Sequence, residues 1–154
     1  MSKSTLITID WYLFYMETDL KEIVKEFGAF IVKKLAIKKP FKIQLTVNRD
    51  DLKTYAHYSP SEGIIKVYVK GRGVADILRS MGHELIHHQQ NQNGKLKQDP
   101  KNPIPDVGGE IEDEANAVAG QLVKEFGYKF KDSQGKGIYE YIQSLCIFPK
   151  IHLN

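Results

Sequence analysis

The 154-residue chain is poor in several things, and each scarcity narrows what it can be. It has one cysteine, Cys146, so no disulfide forms within the chain, and a lone thiol fits a reducing compartment. Cys146 sits in an apolar run with Ile142, Leu145, Ile147 and Phe148, which reads as core rather than as a nucleophile. Long hydrophobic runs are missing. The N-terminal run from Trp11 to Met16 is bounded by Asp10 and Glu17, is too short to span a bilayer, and precedes no small-residue cleavage site. The expectation is a cytoplasmic protein with no membrane contact. Charge of one sign is scarce too: 22 basic side chains oppose 19 acidic ones, and the lysines are spread out. A nucleic-acid binder concentrates its basic residues, so nucleic acid is not indicated as a partner. The chain has no internal repeat and no low-complexity tract.

What is present is an ordinary globular composition, 42% hydrophobic, in a length that buries a core without staples. This predicts a single domain over residues 1–154, of α+β class. Residues 2–9 alternate loosely, as a short strand or an irregular arm. From Trp11 to Ile37 the apolar residues recur at three- and four-residue intervals, which predicts a helix ended by Lys39-Pro40. Phe41–Val47, Thr54–Tyr58 and Ile64–Lys70 read as three strands of a small, mostly antiparallel sheet, the last two joined as a hairpin. Val74–Gln92 is a helix with Val74, Leu78, Met81 and Leu85 on one side. A long loop rich in Asn, Gly and Pro covers 91–109, then a helix from Glu110 to Phe126, then a short helix from Ile138 to Leu145.

The middle helix contains His83-Glu84-Leu85-Ile86-His87, an H-E-x-x-H pattern. Residues four apart on a helix lie one turn apart on the same face, so His83 and His87 can grip one metal ion, and Glu84 can reach a water bound to it. The two histidines fall nearly opposite the apolar side of the helix, together with Asp76, Ser80 and Gln90, which weighs against core histidines. His88 lies nearer the apolar side and is not counted as a ligand. A catalytic zinc site needs a third protein ligand and an open position. The acidic stretch Glu110-Ile111-Glu112-Asp113-Glu114 is the better source. Glu112 and Glu114 both flank the apolar stripe of their helix, whereas Glu110 and Asp113 suit a solvated first turn.

Taken together, His83-Glu84-Leu85-Ile86-His87 and, 27 positions after His87, Glu114-Ala115-Asn116-Ala117-Val118-Ala119 resemble the motifs of the glutamate-type zincin metallopeptidases. Within that clan the chain is most similar to the small ImmA/IrrE-like peptidases of bacteria, phages and mobile elements. The resemblance covers roughly residues 41–126. It implies a minimal zincin-like fold, zinc as the cofactor, and His83, His87 and Glu114 as its ligands. The thermolysin-like branch carries an acid four residues after the ligand glutamate, and here Val118 stands at that position. Asp76, Asp106 or Asn116 is then expected to orient the imidazoles through their second nitrogens.

Such a site is expected to hydrolyse peptide bonds of a protein or peptide substrate, with Glu84 as general base. A second donor should hold the oxyanion. The candidates are His57 and Tyr58 on the polar strand and Tyr139, Tyr141 or His152 near the C-terminus, with His57 and Tyr141 foremost. The polar strand is the expected sheet edge, where an extended peptide adds as a further strand. The alternative is a catalytically inactive zincin-fold module that binds a protein or nucleic-acid partner. The intact Glu84 argues against it, since losing the base is the simplest way to silence such a site.

Overall fold

Seven elements follow one another in a computed structural model: β1 (Ile7–Asp10), α1 (Thr18–Lys34), β2 (Phe41–Thr46), β3 (Ala56–Ser59), β4 (Ile64–Tyr68), α2 (Val74–Gln92) and α3 (Gly109–Lys129). The structure describes residues 7–10, 18–49, 52, 54–96, 109–131 and 135–138. The expected α+β class holds, and α2 has the span its hydrophobic period predicts. The expected helix over 138–145 and most of the long loop before α3 fall outside the described residues.

The sheet differs from expectation in two particulars. It has four strands, in the order β1-β2-β4-β3, and two of its three pairings are parallel. The α1 crossover brings β2 alongside β1 in the same direction, as a parallel connection requires. β4 then inserts between β2 and β3, parallel to the first and antiparallel to the second. Alternation along Phe41–Thr46 buries Phe41, Ile43 and Leu45 and turns Lys42, Gln44 and Thr46 the other way. The same period buries Ala56 and Tyr58 of β3, the edge strand. The hairpin turn closes with Gly63 N–H on the Ser59 carbonyl at 2.8 Å. Gly63 has φ 68°, and a Cβ there would stand 3.1 Å from the Pro40 carbonyl oxygen, so both conformation and space call for glycine.

α1 buries Leu20, Ile23, Val24, Phe27 and Ile31 along one stripe. It ends with Ala36 in the left-handed region at φ 51° and Ile37 N–H reaching back to the Val32 carbonyl at 3.0 Å, the bonding of a Schellman cap. Gln92, the last residue of α2, fastens the chain beyond that cap. Its Oε1 accepts from the Lys38 and Lys39 amides at 2.6 and 2.9 Å, and its Nε2 donates to the Ala36 carbonyl at 3.1 Å.

α2 lies on β3 and β4 and is covered by α1 and, most extensively, by α3. Val74, Ile77, Leu78, Met81 and Leu85 enter the main core. At Gly82 the three helices meet: a Cβ there would touch Phe27 and Ile31 of α1 and Ala119 of α3 at 3.5–3.6 Å. Ile86 packs with Ala115 and Ala119, the small residues that let α3 come close to α2. No helix among the described residues is long and apolar enough to cross a membrane.

Candidate metal centre

The α-helical repeat carries His83 and His87 to the same side of α2, with their Nε2 atoms 3.1 Å apart and their rings edge to face. Across the α2–α3 contact stands Glu112. Its Oε2 lies 3.1 Å from His83 Nε2 and its Oε1 2.8 Å from His87 Nε2. Glu84 completes the group: ligand atoms of His83, Glu84 and His87 all lie within 4.8 Å of one another, an arrangement able to hold a metal ion. The site is shielded, with Glu84 8% and His87 7% exposed.

The carboxylate brought to the histidines is therefore Glu112 and not Glu114. The reason lies in the rotation of α3. Ala115 and Ala119 face α2, and Glu112, three and seven residues before them, lies on the same stripe. Glu114 is turned aside and its side chain is 41% exposed. The residue one turn after Glu112 is Asn116, and its side chain hydrogen-bonds His83. Val118 packs beside Ile86, Ala115 and Ala119. The small residues of α3 were the signal in the sequence that marks the Glu112 face.

His87 is held from behind. Its Nδ1 lies 2.7 Å from Gln90 Oε1, and Gln90 is fully buried. Gln90 Nε2 donates to Glu114 Oε1 at 2.7 Å and to the Ile111 carbonyl at 3.2 Å. Both are acceptors, which fixes the amide so that its oxygen faces His87. His87 Nδ1 must then carry a hydrogen, and Nε2 faces a carboxylate oxygen at 2.8 Å. In the neutral ring that nitrogen is an acceptor, and two acceptors at that distance repel unless positive charge lies between them. A proton on His83 is an unfavourable source, because burial and then the neighbouring His87 push its pKa below the usual imidazole value. Two imidazole nitrogens and a carboxylate are a donor set that suits a divalent ion. Gln90, and after it Lys95, hold Glu114 below the usual carboxylate range, keeping it a charged acceptor.

Glu84 has the opposite environment. Burial, and then the charge of Glu112, raise its carboxyl to about 8 in the metal-free chain. A cation between the two carboxylates would offset that repulsion.

The remaining candidates separate cleanly. His57 is exposed on the face of β3 turned away from Ala56 and Tyr58, so strand alternation takes it out of the site. Tyr58 is buried, but its hydroxyl donates to His88 Nδ1 at 2.8 Å and accepts from Asn91 Nδ2 at 3.0 Å. His88 Nε2 donates to the Lys39 carbonyl at 2.8 Å, so both nitrogens of this ring are matched within the fold. Asp76 pairs with Arg79 at 3.0 Å, at the far end of α2. Tyr139, Tyr141, His152, Asp106 and Cys146 lie outside the described residues. Comparison with protein-family models, with curated proteins and with solved structures found no match to this chain.

Proposed function

We propose that the chain is a zinc-dependent endopeptidase that hydrolyses peptide bonds of a protein substrate, with Glu84 as general base. One observation carries the reading: the Nε2 atoms of His83 and His87 and both oxygens of Glu112 converge around one point beside the buried carboxylate of Glu84. When bound, zinc supplies the Lewis acidity that polarises a peptide carbonyl and acidifies a water. Glu84, next to His83 on the helix, receives that water's proton and passes it to the leaving amine. Its burial keeps bulk water from competing for the proton. β3 lies at the sheet edge, and its backbone offers an extended peptide a strand to pair with. The lone cysteine suits a reducing cytoplasm.

Glu84→Gln tests the chemistry. The variant should keep zinc with the wild-type stoichiometry by elemental analysis, and should lose cleavage of a proteome-derived peptide library. Full cleavage by the variant removes Glu84 as the base. A wild-type protein that holds zinc and cleaves nothing favours the binding-module alternative.

A further inference from the structure

We propose that Gln90 is a positioning residue that fixes the tautomer of His87, and that Glu114 acts through it. The inference rests on the metal-site reading for its purpose but not for its geometry. Gln90 is buried and bonds both His87 and α3. It accepts from the ring at 2.7 Å and donates to Glu114 at 2.7 Å and to the Ile111 carbonyl at 3.2 Å. An amide is symmetric enough to flip, and a flipped Gln90 would present its N–H groups to His87 Nδ1. The ring would then carry its hydrogen on Nε2 and lose the lone pair that points at Glu112. Two acceptors on α3 prevent the flip: the Ile111 carbonyl, supplied by the backbone, and Glu114, supplied by a side chain that Lys95 approaches to 3.6 Å. The row Lys95–Glu114–Gln90–His87 thus converts a charge at the margin of α3 into the direction of one lone pair. Glu114 takes part in the site without touching the ion, through the atom that orients its ligand. His83 is served separately by Asn116 of α3.

Two measurements test this, one of which needs no metal. In chelator-treated wild-type protein, long-range nitrogen–proton NMR correlations should show His87 with its hydrogen on Nδ1. Gln90→Leu should shift the ring toward the other tautomer, and competition with a chromogenic chelator should show zinc binding weakened about ten- to a hundredfold. The exchange pair Gln90→Glu with Glu114→Gln keeps an acceptor on the ring and a donor from α3. It should restore the Nδ1–H tautomer and bring zinc affinity back to within a few-fold. That rescue separates positioning from mere packing, and circular dichroism identifies any variant that fails to fold. An unchanged tautomer in folded Gln90→Leu, or zinc affinity lost equally in the exchange pair, overturns the proposal. A wild-type chain that binds no zinc sinks the metal reading, while the tautomer still decides the role of Gln90.

Discussion

His87 and His88 are neighbours in sequence, and both are buried in α2, yet they do opposite things. His88 has both ring nitrogens matched: Nδ1 accepts from Tyr58 and Nε2 donates to the Lys39 carbonyl. Nothing about that ring is left over. His87 has one nitrogen matched by the amide oxygen of Gln90, and its other nitrogen aimed at a carboxylate oxygen and a second imidazole. Burial alone does not separate a structural histidine from a ligating one. The sum of donors and acceptors around the ring does, because a buried acceptor that faces another acceptor is stable only with a cation between them.

The contrast is broken most sharply by removing one ring at a time. His87→Ala should weaken zinc binding by roughly more than a hundredfold, above the range of supporting residues, and leave the fold standing. His88→Ala should leave zinc stoichiometry unchanged and cost about 2–3 kcal/mol in urea unfolding, since it strands the Tyr58 hydroxyl and the Lys39 carbonyl. Equal zinc loss in both would end the distinction. The same split applies to α3. Glu112→Gln should abolish tight zinc binding, whereas Glu114→Gln, which keeps an acceptor for Gln90, should lower affinity only a few-fold. A reversed order would restore Glu114 as the ligand.

Next in size is a pH effect in metal-free protein. The Glu84 carboxyl moves from 4.5 when unfolded to about 8 when folded. Between those values the folded chain holds a proton that the unfolded chain has released, so stability falls as pH rises through that window. The drop should be on the order of a few kcal/mol, and chelator-treated Glu84→Gln should lack it. A wild-type profile as flat as the variant's would show that Glu84 ionises freely inside the fold. Smallest is Tyr58→Phe, which removes one partner from His88 and one from Asn91. It should cost about 1 kcal/mol in thermal unfolding and leave zinc affinity unchanged.

How far the sequence revealed this molecule depends on what each pattern encodes. The period of Val74–Gln92 fixed a helix and placed His83 and His87 one turn apart, because that relation is local. The alternation in Phe41–Thr46 and around Tyr58 identified strands but said nothing about their neighbours. Direction of pairing follows from how α1 returns the chain and from β4 entering between β2 and β3, which are non-local facts. His57 was placed wrongly for a period-two reason: one residue decides the face, and Tyr58 is the one turned inward. Glu112 and Glu114 were both legible as candidates. The choice between them needed the rotation of α3, which packs Ala115 and Ala119 against Ile86. Gln90 was visible on the ligand side of α2 but could not be given a partner until α3 was in place.

The three groups that converge do not come from one piece of chain. Two sit on α2 and the third on α3, 25 positions beyond His87. In an unfolded chain, bringing those ends together carries a loop-closure entropy that rises with the logarithm of the span. The packed contact of Ile86 with Ala115 and Ala119 has already closed that ring before any ion arrives. An ion held by all three groups would thus act as a cross-link between the helices, and its release would report how often α3 lifts from α2. Thermal stability should accordingly climb with free zinc concentration.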